Sequence, residues 1–279
     1  MIEYLVAGTA LGCTIALLAS GFVVVHRVTG VVNFAQGLFP VVAGLSCGTL
    51  LSSGWPHGLS ELAAVALAGV VGVVVGVVAI GKPGTPPLAS LVITFGLGFL
   101  GYAVEIIVWG DQPRSFDGWP GVLTLGGVRI QHQWVLVAGV ALVVFGLLGA
   151  FFGRTYLGQG LTACAANPYA ARLAGINVRR MGLYAFGLAG LLGGVAGVLL
   201  TPLQSIAFDR DVALAVNGFA AAVLGGLDRP GTALAGGLLL GVGQTLFAGY
   251  VDGSFQTEVA LGFMVLVMVA RAIRQPVTV

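Results

Sequence analysis

Hydrophobic residues run along this chain in long, nearly unbroken stretches, at 4–25, 31–51, 61–81, 88–109, 134–153, 183–203, 212–227, 232–250 and 255–270. Polar and charged residues collect in the segments between them. A helix needs about 20 apolar residues to cross the hydrocarbon core of a bilayer, and most of these stretches approach that length. The pattern predicts an all-α, polytopic helical bundle of about eight or nine spans, organised as one domain over residues 1–279. The stretch at 212–227 is shorter than a full span, so it either crosses steeply or re-enters without crossing.

Composition removes the soluble alternatives. The chain is 58% hydrophobic and 8% charged, with a mean hydropathy of +1.04. A soluble domain carries about a quarter charged residues, so this chain lacks the means to cover a water-facing surface. Disorder needs the opposite balance, low hydrophobicity with high charge. A net charge of +2 gives no electrostatic footprint for nucleic acid. Cys13, Cys47 and Cys164 are scattered without a C-x-x-C pair and read as small apolar residues in helix contacts. The start Met1-Ile2-Glu3 carries an acid and no base, unlike a cleavable signal peptide, so the first stretch is expected to remain as a helix.

Charge sets an expected orientation, because Lys and Arg collect in cytoplasmic loops. If all nine stretches cross and the C-terminus lies inside, the inner segments hold Arg27, Lys82, Arg154, Arg172, Arg179, Arg180, Arg229, Arg271 and Arg274. The outer segments then hold Arg114, Arg129 and Arg210, together with Asp111, Asp117, Asp209, Asp211 and Asp252, leaving Asp228 inside. Trp55, Trp109, Trp119 and Trp134 fall at or near the outer ends, as an interfacial aromatic belt does. The expectation is an N-terminus outside and a C-terminus in the cytoplasm. Many of the 46 glycines stand four apart, as at Gly8/Gly12, Gly72/Gly76, Gly190/Gly194, Gly193/Gly197 and Gly237/Gly241. Such spacing lets helix backbones approach closely in lipid.

Catalytic and nucleotide-binding signatures are missing from the sequence. Gly96-Leu97-Gly98-Phe99-Leu100-Gly101 matches G-x-G-x-x-G, but it lies inside an apolar helix instead of between a strand and a helix. There is no G-x-x-x-x-G-K-[ST], and Lys82 is the single lysine. H-E-x-x-H and G-x-S-x-G are also absent. His26, His57 and His132 fall in expected loops far apart, which argues against a metal cluster. The chain is expected to carry no cofactor and no enzyme activity of its own.

Three features carry candidate function. The longest inner segment, about 154–182, contains a short helix at 168–174 with both ends marked. Asn167 suits the N-cap, Pro168 the first helical position and Gly175 the left-handed position past the end. Two turns of helix are not stable alone, so this one either rests on its own bundle or docks a cytoplasmic partner. The second feature is Asn33-Phe34-Ala35-Gln36-Gly37, expected in the inner half of the second span, with Asn33 and Gln36 on one helix face. Pro40 removes the bond that the Gln36 carbonyl would accept, so the helix is expected to break beside two amides. Pro202, before Gln204, is expected to act likewise at the outer end of the sixth span. The third is Glu105, a carboxylate within a span. It stands roughly 6 Å from the outer helix end, which favours snorkelling to the interface over a place in the pathway.

These stretches resemble a known family, the membrane permeases of branched-chain amino-acid ABC importers. Residues 27–37, ending in Asn33-Phe34-Ala35-Gln36-Gly37, resemble its Asn-Phe-Ala-His-Gly segment, with Gln36 where histidine is usual. Residues 163–178, with Asn167-Pro168, Ala170-Ala171-Arg172 and Gly175-Ile176-Asn177, resemble its cytoplasmic coupling segment. Residues 221–241 resemble its late glycine-rich stretch, interrupted here by Asp228-Arg229. The resemblance implies half of a translocation pathway in a plasma or inner membrane, paired with a second permease subunit, related or identical. It also implies cytoplasmic ABC ATPase subunits and an extracytoplasmic solute-binding protein. By that implication Asn33 and Gln36 would border the pathway, and Asn167, Pro168, Ala170, Arg172 and Gly175 would form the ATPase-coupling site; the residues themselves add Pro40 and Glu105 as pathway candidates. The solute is left open among branched-chain amino acids, other amino acids, urea and short amides. A passive channel and an ion-coupled secondary transporter are the competing functions.

Overall fold

A computed structural model of the protein describes residues 1–80, 87–125, 128–227, 229–250 and 256–274. Lys82, Asp228 and Asp252 lie outside the described residues. The long apolar stretches become helices: α1 (Ile2–Thr29), α2 (Leu38–Ser52), α3 (Leu59–Ile80), α4 (Pro87–Trp109), α5 (His132–Arg154), α8 (Val178–Leu200), α9 (Arg210–Gly225), α10 (Pro230–Tyr250) and α11 (Gln256–Arg274). Between α5 and α8 lie the shorter α6 (Tyr156–Ala166) and α7 (Pro168–Leu173). Strands β1 (Val122–Leu125) and β2 (Val128–Gln131) pair antiparallel just before α5. Seven helical segments among the described residues are long and apolar enough to cross a membrane, against the eight or nine expected. The protein is an all-α, multi-pass membrane protein. The helices α9 and α11 fall outside the seven, the first because it has 16 residues.

Helix ends depart from the apolar stretches for identifiable reasons. Past the last apolar residues, α1 continues through His26 and Arg27, where the Arg27 charge suits a helix C-terminus, and stops at Gly30 with φ 72°. His26 is therefore helical, and His132 is the first residue of α5, so neither lies in the loop expected for it. The start of α8 precedes its apolar stretch, because the Asn177 side chain accepts from the Arg180 amide at 3.0 Å. Pro202 does not break a span: α8 ends at Leu200, and the proline lies in the turn beyond it.

Glycine decides which helices touch. The central helix is α1, with 89% of its spanning window buried, against 11% for α4 and 17% for α5. So α4 and α5 turn most of their surface away from the rest of the chain. Helices α1 and α10 run antiparallel along a glycine seam. An added Cβ would stand 2.8 Å from the Val242 Cα at Gly8, 2.8 Å from the Leu238 Cα at Gly12, and 2.6 Å from the Ala16 Cα at Gly237. A second antiparallel seam joins α3 to α8, where Gly72 faces Gly190 and Gly194 faces Val65. In lipid no hydrophobic force drives helices together, so this close backbone contact is what holds the bundle.

One end of the bundle is rich in tryptophan and the other in arginine. Arg114 donates to the Thr49 hydroxyl at 3.0 Å and to the Trp109 carbonyl at 3.3 Å, which ties the ends of α2 and α4 together. Trp119 and Trp134 sit at the same end, beside the start of α5. At the opposite end Arg27 of α1 lies with Phe152 of α5 and Thr162 of α6.

Candidate functional site

The break between α1 and α2 is a turn, not a kink in a span. After Gly30 the chain leaves the helix, Asn33 is extended at φ −91° and ψ 97°, and Phe34–Gly37 forms one 3-10 turn before α2. Asn33 and Gln36 therefore do not share a face of one continuous helix. They meet because an N-cap residue folds its side chain back over the turn it opens. The Asn33 carbonyl oxygen Oδ1 accepts from the Ala35 amide at 3.2 Å, and its Nδ2 donates to Gln36 Oε1 at 3.3 Å. Gln36 Nε2 donates to the Ala189 carbonyl of α8 at 3.1 Å. The Phe34 amide donates to the Thr94 hydroxyl of α4 at 3.2 Å. Both amide side chains are fully buried.

Pro40 is the third residue of α2, so its missing N–H falls in the first turn, where no intrahelical partner is required. This explains why the proline ends no helix. Gly37 packs against the Asp211 carbonyl of α9, and Gly197 of α8 against the Pro40 carbonyl. Helices α4, α8 and α9 thus converge on residues 33–40. Gln36→Leu is expected to strand the Asn33 amide and to lower stability by about 1–3 kcal/mol, the cost of a buried unpaired polar group. A thermal-unfolding curve in detergent would show this as a lower midpoint, and an unchanged midpoint would refute the network's role.

Glu105 does not snorkel. It is 0% exposed, and neither carboxylate oxygen has a hydrogen-bond partner among the described residues. The reason is helix phase. Thr94, Gly98, Gly101 and Glu105 recur at three- and four-residue steps, so they form the one stripe of α4 that faces the bundle. Gly98 lies over Ala35, and Gly101 over Leu38. Asp211, the other deeply buried acid, opens α9, lies within Coulombic reach of Glu105 and accepts from its neighbour Val212 at 2.7 Å. The structure thus joins Asn33 to Gln36 and the Phe34 amide to Thr94 at the start of α2, with Pro40 in its first turn, the Asp211 backbone against Gly37, and Glu105 buried one turn beyond Gly101 on the same stripe of α4. A small-and-polar stripe in an otherwise bulky apolar helix was the signal for Thr94. Asp211 gave none.

At the arginine-rich end, α7 is capped as its sequence demands. Asn167 Oδ1 accepts from the amides of Tyr169 and Ala170, both at 3.0 Å, and Pro168 occupies the first position. The helix closes when the Ile176 amide reaches back to the Ala171 carbonyl at 3.0 Å across Gly175, whose φ is 82°. Ala171 is buried against a cluster that includes Val24, Val28, Leu161 and Cys164. The opposite face leaves Tyr169 70% and Leu173 75% exposed, with Ala170 and Arg172 beside them. The segment holds a second helix that the sequence did not mark, α6, started by Thr155 accepting from the Gly158 amide at 3.0 Å.

Known proteins resemble this chain over nearly its whole length. The family described as branched-chain amino acid transport system permease components matches residues 4–272. The high-affinity branched-chain amino acid transport system permease protein BraD of Pseudomonas aeruginosa is 30% identical, over 97% of this chain and 94% of that protein. LivH of Methanocaldococcus jannaschii, a probable branched-chain amino acid transport permease, is 29% identical over 90% of this chain and 81% of its own. Among solved structures, PsaBC from Streptococcus pneumoniae in complex with Fab superposes with a TM-score of 0.55 at 14% identity, over 95% of this chain and 90% of that one. That likeness concerns the fold alone.

Proposed function

Because the chain belongs to the family of permease components of branched-chain amino-acid transport systems, we propose that it is the membrane permease subunit of an ATP-binding cassette importer for branched-chain amino acids or related small polar solutes. It forms half of the pathway as a single domain, with a second permease, related or identical, forming the other half. ATPase subunits dock from the cytoplasm and a solute-binding protein delivers from outside. The observation that carries this reading is α7, a two-turn helix fixed at both ends that buries Ala171 and turns Tyr169, Arg172 and Leu173 outward. A short helix held this firmly and exposing large apolar side chains suits a rigid lever for a partner.

In this reading the arginine-rich end is cytoplasmic, by the positive-inside rule, and the tryptophan-rich end is outside. The N-terminus lies outside and the C-terminus inside. Helices α9 and α11 complete nine crossings, α9 as a short helix of about 24 Å. Asn33, Gln36, Pro40 and Glu105 border the pathway at its narrowest level. Solute reaches them when α2 and α8 part and the bond from Gln36 to Ala189 opens.

The reading is tested by what co-purifies with the tagged chain extracted in mild detergent from its native membrane. Recovery of an ATP-hydrolysing subunit, lost when the residues of α7 are scrambled, supports it. Recovery of the chain alone, as a stable homo-oligomer that conducts solute without ATP, overturns it in favour of a passive channel.

A further inference from the structure

A cavity of about 570 Å³ opens at the tryptophan-rich end and is bounded by α3, α5 and α8. Its walls are aliphatic, including Val65 of α3, Leu136 and Val140 of α5, and Val198 of α8. Phe116 and Trp119, from the segment before β1, also line it. Pockets of several hundred Å³ with mostly apolar walls and a few placed polar groups are the usual form of small-molecule sites. The polar groups here are few: the Gln133 amide, two acids and the His57 ring that pairs with one of them.

The first is Gln133, in the first turn of α5. It is only 7% exposed, and its Oε1 accepts from the Trp119 amide at 3.0 Å. That bond holds the side chain by its oxygen, and Nε2, which makes no hydrogen bond among the described residues, is left open to the cavity. An amide donor that opens into a mostly apolar cavity is a place for an acceptor. It also stands at a helix N-terminus, where negative charge is favoured. The second kind is acidic: Asp117 and Glu61 both line the cavity. Glu61 is held in place by the ring nitrogen of His57 and the Gly58 amide. Asp117 is exposed and makes no hydrogen bond within the described protein.

We propose that this cavity is the outer receiving site for a zwitterionic aliphatic α-amino acid. Its carboxylate accepts from Gln133 Nε2, its ammonium lies at Asp117 and Glu61, and its side chain rests on the wall formed by Leu136, Val140 and Val198. The inference rests on the permease reading above and on the tryptophan-rich end facing outside. Urea and short amides leave the aliphatic wall unused, and a sugar would leave its hydroxyls unpaired against it. A lipid chain fits the wall but makes no use of the amide donor or the acids.

The test uses the complete reconstituted transporter, with Trp119 fluorescence read against a Trp119→Phe control. L-leucine and L-leucinamide, which lacks the carboxylate, are titrated in turn. Gln133→Glu keeps an oxygen for the Trp119 amide but replaces the donor with a negative charge. It is expected to weaken L-leucine at least tenfold and to leave L-leucinamide within about threefold of its starting affinity. Val140→Phe, which fills the wall, is expected to weaken both. Equal loss of both ligands in Gln133→Glu, or no loss, overturns the assignment. So does a signal that responds to added phospholipid and not to L-leucine, or a transporter that imports L-leucine with Trp119 silent. A transporter that imports no aliphatic amino acid at all overturns the permease reading itself, a different failure from a working importer with an unaltered cavity.

Discussion

Gly241→Leu is expected to remove most of the protein from the membrane. A side chain at this position has nowhere to go: its first carbon would collide with the Gly12 backbone and stand 2.7 Å from the Gly8 carbonyl. These are backbone atoms of a facing helix, so no rotamer change relieves them. The helices must separate, and α1 and α10 then lose contact along the whole seam from Gly8 to Ala16. Overpacking costs about 1–3 kcal/mol in cores that adjust. This seam cannot, so the upper end or more is expected, against a total stability of about 5–15 kcal/mol. Gly243→Leu is the comparison, since there an added carbon meets only the edge of the Phe263 ring at 3.1 Å. Immunoblots of the membrane fraction should show a severalfold loss for Gly241→Leu and a mild one for Gly243→Leu. Equal levels for both would mean that the α1–α10 contact is not what holds the bundle.

The second large effect falls on transport with the fold intact. Gly175→Val is expected to reduce ATP-driven uptake more than tenfold at normal membrane levels. An added Cβ at Gly175 meets nothing within 4 Å, so space is not the obstacle. Conformation is: φ at 82° is open to glycine and strained for a β-branched residue, by about 1–3 kcal/mol. A helix of six residues has no reserve to absorb that strain. The bonds from Ile176 to Ala171 and from Gly175 to Arg172 open, and Tyr169 and Leu173 lose their fixed aim. Gly175→Asn, which tolerates the left-handed region, should restore most of the uptake. Normal uptake in Gly175→Val would separate α7 from coupling.

What the sequence revealed depended on whether the physics was local. The caps of α7 are contacts between residues two or three apart, and Asn167, Pro168 and Gly175 announced them. The glycine pairs Gly8/Gly12 and Gly237/Gly241 announced close contact, though not that they pack on each other. The start of α2 stayed hidden because the stretch at 31–51 is apolar on average despite Asn33 and Gln36, so hydropathy could not separate a turn from a span. Gly30 followed by an N-capping Asn33 was the available signal. Glu105 was misread because distance from a helix end says nothing about which way a side chain faces. Its phase with Thr94 and Gly101 did, and that stripe was legible. The β1–β2 hairpin was also legible, in Val122-Leu123-Thr124-Leu125 and Val128-Arg129-Ile130 flanking two glycines. The meeting of Gln36 with Ala189 spans 153 residues of chain, and no local pattern encodes it.

The central claim is that this subunit moves solute only when an attached ATPase drives it. The most direct measurement is uptake of radiolabelled L-leucine into proteoliposomes holding the purified complex and its binding protein, with ATP supplied or withheld on the ATPase side. The account predicts uptake that needs hydrolysable ATP and persists when a protonophore and a sodium ionophore collapse the ion gradients. Uptake that continues without ATP, or that vanishes with the gradients while ATP is held constant, would contradict it.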